Sequence, residues 1–253
     1  MLEINHLNKA FGGIRATDDL SLRVREGEIH AVIGPNGAGK TTFIKQLSGE
    51  LRPDSGEMLF DGQNLGRVRP HKRAQLGLAR SFQITSLILP MTVLENVMLA
   101  AQALSGHSFK FWAPVIEETQ LRETASKYLK AVGLKNKAAS IAGEIAYGEQ
   151  RQLEIAMALA LQPKLMLLDE PMAGMSKEET GNMIALLQGL KGTTTILLVE
   201  HDMDAVFALA DTTSVMVNGH IIATGNTQEI RNNPEVEKAY LGESSSHQPS
   251  SLA

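Results

Sequence analysis

"IHAVIGPNGAGKTTFIKQLSG" spans Ile29 to Gly49. Its first part, Ile29–Ile33, has the pattern of a parallel strand covered on both faces. Gly34, Pro35, Asn36, Gly37, Ala38, Gly39, Lys40, Thr41 and Thr42 follow, and they hold the pattern G-x-x-x-x-G-K-[ST]. The segment after them reads as a helix. In such a strand-loop-helix unit the glycines let backbone N–H groups converge on phosphate oxygens. The helix N-terminus adds its dipole. Lys40 is placed to reach the β and γ phosphates, and the Thr41 hydroxyl to ligate Mg²⁺. The expected ligand is therefore a nucleoside triphosphate.

The remaining strands sort into two kinds. "LEINHL" and "LSLRV" alternate with period two, as half-buried antiparallel strands do. "EMLFDGQNL" is a short strand broken at Asp61-Gly62, and "SVMVNGHIIATG" reads as a hairpin across Asn218-Gly219. Leu165–Leu168 and Thr195–Val199 are continuous apolar runs, like Ile29–Ile33. Between about Gln83 and Gln162 strand patterns give way to helical ones. The reading is an α/β chain with an antiparallel β subdomain and an inserted helical subdomain.

Bulk properties agree with a globular domain. The chain has 253 residues, 43% of them hydrophobic, and a net charge of -4. That charge gives no general pull toward nucleic acid, so "RVRPHKR" (Arg67–Arg73) reads as a solvated face. There is no cysteine, which removes disulfides and thiolate chemistry. No apolar run is long enough to span a bilayer. Phe109, Phe111 and Trp112 read as core of the helical part.

"LMLLDEP" sets Asp169 and Glu170 at the end of a buried strand. Beside a phosphate loop, an Asp there supports Mg²⁺, and the adjacent Glu is positioned to polarise an attacking water. The ordered set then resembles the ATP-binding cassette (ABC) ATPases, a P-loop NTPase family, over about residues 1–242. The resemblance implies that Phe11, in "KAFGG", stacks on adenine. It implies that Gln83, in "ARSFQ", senses Mg²⁺ and the attacking water, and that Asp169 holds Mg²⁺ through water. His201, in "LLVEHD", is the implied γ-phosphate switch, and Glu170 the implied catalytic base. The implied division places core and β subdomain at about 1–83 and 160–242 and the helical subdomain at about 84–159; the Ser-rich end, 243–253, reads from its composition as a disordered tail.

A further family element starts a helix just before the Pro ahead of the Asp-Glu strand, and caps the γ-phosphate bound to a second subunit. Here it falls on Ala146, Tyr147, Gly148 and Glu149. The family pattern L-S-G-G-Q is altered: Ala146 stands for Ser, Tyr147 for Gly, and Glu149 for Gln. Gly148 matches the second glycine. Ser176 stands where the family loop after Asp-Glu usually carries Asp.

The altered turn, with "ARSFQ", "AGMS" and "VEHDMDAVF", is similar to the ATPases of branched-chain amino-acid importers and their urea and amide relatives. That resemblance implies ATP and Mg²⁺ as cofactors. It implies a second ABC ATPase subunit, the same or a paralogous chain, met head to tail. Transmembrane permeases and, indirectly, a soluble substrate-binding protein complete the implied set. The chain would sit peripherally on the cytoplasmic face of the inner membrane, with no nucleic-acid partner. An exporter of the lipopolysaccharide type, a soluble ABC ATPase and a P-loop kinase are the alternatives. The chain shows neither heptads, nor a second cassette, nor an Arg-rich lid.

Overall fold

The computed structural model describes residues 1–80, 87–104 and 115–244. Gln83 and the cluster Phe109, Phe111 and Trp112 lie outside the described residues. In chain order the strands are β1 (Leu2–Phe11), β2 (Ile14–Val24), β3 (Ile29–Ile33), β4 (Ser55–Phe60), β5 (Gln63–Asn64), β6 (Leu78–Arg80), β7 (Leu165–Asp169), β8 (Thr195–Val199), β9 (Thr212–Val217) and β10 (His220–Gly225). The helices are α1 (Lys40–Ser48), α2 (Pro70–Gln75), α3 (Val93–Leu104), α4 (Val115–Ala131), α5 (Tyr147–Ala160), α6 (Lys177–Leu190), α7 (Met203–Leu209), α8 (Thr227–Arg231) and α9 (Pro234–Ser244). They form two compact units, one from Met1–Pro70 with the chain from Thr195 on, the other from His71–Thr194.

The first unit holds an antiparallel sheet in the order β2-β1-β4-β5. Its strands carry the alternating pattern, and Asp61-Gly62 makes the turn between β4 and β5 with both φ positive. The same unit holds β3 between β8 and β9, parallel to both, with β10 antiparallel at the side of β9. All five residues of β3 and of β8 are buried, which is why the two read as unbroken apolar runs. Asn218 and Gly219 both have positive φ, as the two-residue hairpin of β9 and β10 requires. Ala31, Ile33 and Val215 pack with Val206 of α7, Ile230 of α8 and Val236 of α9, so these helices cover one face of the parallel strands.

In the second unit β6 runs parallel to β7, with Leu78 opposite Leu165 and Arg80 opposite Leu167. Helices α3, α4 and α5 pack on one another here. The start of α3 is a reciprocal cap. The Thr92 hydroxyl accepts from the Glu95 N–H at 3.2 Å, and the Glu95 carboxylate accepts from the Thr92 N–H at 2.7 Å. Buried Asn96 then fixes the segment ahead of α3: its amide accepts from the Ile88 N–H at 2.8 Å and donates to the Ile88 carbonyl at 3.2 Å. The side chains of Ile88 and Leu89 stay exposed.

Candidate functional site

The glycine loop is built against residues far along the chain. A Cβ on Gly34 would lie 2.0 Å from the Met216 carbonyl oxygen of β9, and one on Gly39 would lie 1.9 Å from that of Ala16 in β2. No side chain fits at either place, and Gly39 also needs its φ of 107°. The Gly219 N–H donates to the Ala38 carbonyl at 2.9 Å, so the β9–β10 turn braces the loop from outside. Lys40 opens α1 and is buried, its ammonium donating to the carbonyls of Gly34 and Pro35. Asn36, Gly37 and Thr41 are exposed, and no acidic residue occupies the first turn of α1. Backbone donors, a helix N-terminus and a fixed ammonium fit a polyphosphate.

Phe11 ends β1 and is 51% exposed, with the Lys9 ammonium 5.6 Å from its ring centroid. Such an open ring offers a stacking face. His201 follows β8 with its imidazole largely exposed, while its N–H donates to the buried Glu200 carboxylate at 3.1 Å.

The second unit carries the acidic pair. Asp169 ends β7 and is buried, and its Oδ2 accepts from Nη2 of Arg80 at 3.3 Å. Glu170 follows with φ of 49°, a left-handed conformation unusual for a non-glycine residue. Among the described residues no cluster of three His, Cys, Asp or Glu forms a metal cage. The carboxylates of Asp169 and Glu170 are hard oxygen donors of the kind Mg²⁺ takes one or two of while keeping its waters.

The altered turn is held by its own substitutions. Tyr147 is the first helical residue of α5, so a side chain is tolerated there. Its hydroxyl accepts from Nε and Nη2 of Arg151 at 3.0 and 2.8 Å, and donates to the Ala173 carbonyl at 3.4 Å. Arg151 in turn pairs with buried Glu154 at 3.0 Å. Glu149 bends back: its carboxylate accepts from the Ala146 N–H at 3.0 Å and lies 3.4 Å from the Lys137 ammonium. With Ala146 at the N-cap, only this returning half of a capping box exists. The Gly148 N–H, expected to face phosphate, donates instead to Oε1 of Glu179 at 3.1 Å.

Glu179 belongs to the cap of α6. Ser176 is the N-cap there, its hydroxyl accepting from the Glu179 N–H at 3.3 Å. Glu179 Oε2 accepts from the Ser176 N–H and hydroxyl at 2.9 and 2.8 Å. These bonds, and then the one from Gly148, hold the Glu179 carboxyl below its ordinary value. Arg80, Arg151 and Glu179 were missed in the sequence. Only the neighbourhood of Arg80 to "SFQ" could have drawn attention to one of them.

The family model described as "ABC transporter" matches residues 17–173, and one described as "Branched-chain amino acid ATP-binding cassette transporter" matches residues 220–245. The latter covers β10, α8 and α9. The chain is 38% identical to the high-affinity branched-chain amino acid transport ATP-binding protein BraF of Pseudomonas aeruginosa, over 96% of this chain and 98% of that protein. It is 39% identical to the corresponding LivG protein of Escherichia coli, over the same shares. Among solved structures it is similar to the ADP conformation of an ATP-binding cassette of an ABC transporter, with TM-score 0.85 and 32% identity over 96% of this chain and 98% of that one. A nucleotide-free cassette matches with TM-score 0.82 and 31% identity, over 95% and 98%. A glycine loop braced by the β9–β10 turn, an acidic pair at the end of β7 and relatives matched almost end to end converge: the chain belongs to the ABC transporter family, as an ATP-binding cassette ATPase.

Proposed function

We propose that this chain hydrolyses ATP to drive uptake of branched-chain amino acids through partner permeases. The single observation that supports it most is the glycine loop, with Lys40 fixed inside it, in a chain so similar to transport proteins of that substrate class. Lys40 binds the β and γ phosphates, and the backbone N–H groups from Asn36 to Thr42, in the loop that Gly34 and Pro35 open, bind the rest. Phe11 stacks on the base. Thr41, Gln83 and, through water, Asp169 would hold Mg²⁺, which would offset the phosphate charge when bound. Glu170 accepts the proton of the attacking water, and its backbone strain is the kind found at functional positions. His201 holds the γ-phosphate.

Ala146, Tyr147, Gly148 and Glu149 cap the γ-phosphate of a second ATPase subunit, identical or paralogous, the Gly148 N–H exchanging Glu179 for the phosphate as it does so; Ser176 belongs to the loop after the acidic pair. Exposed Ile88 and Leu89, beside Gln83 in sequence, suit a permease contact. Among the described residues no helix is long and apolar enough to cross a membrane, so attachment at the cytoplasmic face runs through the permeases. A substrate-binding protein selects the amino acid.

The test is Glu170→Gln. Phosphate release should fall by about 10²- to 10⁴-fold, the usual share of a general base, with ATP binding retained. Light scattering should then detect ATP-driven doubling of mass, alone or with a paralogous ATPase. Hydrolysis at the wild-type rate would remove Glu170 from the mechanism.

A further inference from the structure

Arg80 ends β6, and β6 lies beside β7 in parallel register with Arg80 opposite Leu167. Two residues further along β7 is Asp169, so the Arg80 side chain runs alongside that strand to its carboxylate. Nη2 and Oδ2 are 3.3 Å apart, and the two side chains are 8% and 2% exposed. We propose that Arg80 is a positioning residue that holds the Asp169 carboxylate oriented for the water shell of Mg²⁺. The inference rests on the reading of Asp169 as the carboxylate that supports the metal.

Three physical points carry it. A carboxylate this buried has lost most of its hydration, so the few hydrogen bonds left to it decide where its lone pairs point, and Arg80 supplies one of them. Second, Asp169 adjoins Glu170, a second carboxylate on the next residue, and the guanidinium offsets that crowding of negative charge. Third, a guanidinium is planar and stays charged, so it can fix the plane of a carboxylate as well as its charge. An ammonium at the same place would supply charge without that orientation. Arg80 touches neither metal nor phosphate in this role. It acts through Asp169, as outer partners of metal-site ligands do.

The experiment measures metal binding directly, apart from turnover. Mn²⁺ binding to the full-length protein with a non-hydrolysable ATP analogue is followed by electron paramagnetic resonance, for wild type, Arg80→Gln, Arg80→Lys and Asp169→Asn. Affinity for the analogue without metal is measured beside it. Arg80→Gln is expected to weaken Mn²⁺ about tenfold, the low end for loss of an outer partner, and Arg80→Lys by about threefold. Metal-free affinity for the analogue should stay at the wild-type value, since Lys40 and the glycine loop are untouched. If Mn²⁺ affinity is unchanged in Arg80→Gln but lost in Asp169→Asn, the assignment of Arg80 is overturned and that of Asp169 stands. If Asp169→Asn also binds Mn²⁺ normally, the reading of the metal site itself fails. Should Arg80→Gln not fold, Arg80→Lys decides alone: wild-type Mn²⁺ affinity there overturns the proposal.

Discussion

Tyr147 gathers three hydrogen bonds on one oxygen, two from Arg151 and one to the Ala173 carbonyl. A glycine at this position could make none of them. The phenol thereby ties the start of α5 to the loop that follows the acidic pair. Tyr147→Phe keeps the ring and removes the acceptor, and should cost about 1 kcal/mol, read as a lower urea midpoint. Arg151→Met should cost more, about 2–3 kcal/mol by the same assay, because it removes a charged hydrogen bond to buried Glu154 as well as both bonds to the Tyr147 hydroxyl. The presence of this turn was legible from Gly148 and its place before Pro163 and β7. Its anchoring was not. Tyr147 and Arg151 are four apart on one helix face, but Ala173 lies across a helix and a strand, and no spacing rule connects it.

Helix α6 starts on a two-way cap, and that cap reaches beyond its own helix. Glu179 serves Ser176 with one oxygen and the Gly148 N–H with the other. Ser176→Ala should destabilise by about 1 kcal/mol, as loss of a Ser cap does. It should also loosen Glu179, so that hydrogen exchange at the Gly148 amide speeds up. An unchanged Gly148 exchange rate would mean that Glu179 stays in place without its cap. Elements defined by burial were easy to read: β3, β7 and β8 stand out as apolar runs, and Asn218-Gly219 marks its hairpin. Short elements carried no such signal. Strand β6 has three residues, α7 seven and α8 five, too few for a period to show. Since Arg80 sits on β6, its pairing with a residue 89 positions away was out of reach of the sequence.

Across the first unit, a polar chain that is buried at Glu28, His30 and Ser214 and surfaces at Thr224 joins three strands. His30 of β3 lies 3.2 Å from Glu28 through Nδ1 and 2.9 Å from Ser214 of β9 through Nε2, and Ser214 lies 2.7 Å from Thr224 of β10. Burial alone would raise the Glu28 carboxyl, but bonds from His30, the Arg25 N–H and Thr212 together hold it below its ordinary value. The folded state therefore binds fewer protons than the unfolded one in that range. This stabilisation is present at neutral pH. It is lost as pH falls below about 4.3, the ordinary Glu value, and through the lower folded one. Glu28→Gln should flatten the fall of unfolding midpoint as pH drops below about 4.3. An identical slope in the variant would place the acid sensitivity elsewhere.

The seat of the glycine loop also sets an order of events during synthesis. Gly34 and Ala38 leave the ribosome early, yet the carbonyl of Met216 and the N–H of Gly219, which shape them, come more than 180 residues later. Contacts of such separation form late and slowly. A nucleotide-binding feature made early is thus among the last to be completed. A nascent chain stalled after Leu209 should not retain ATP, whereas one that has released Gly225 should.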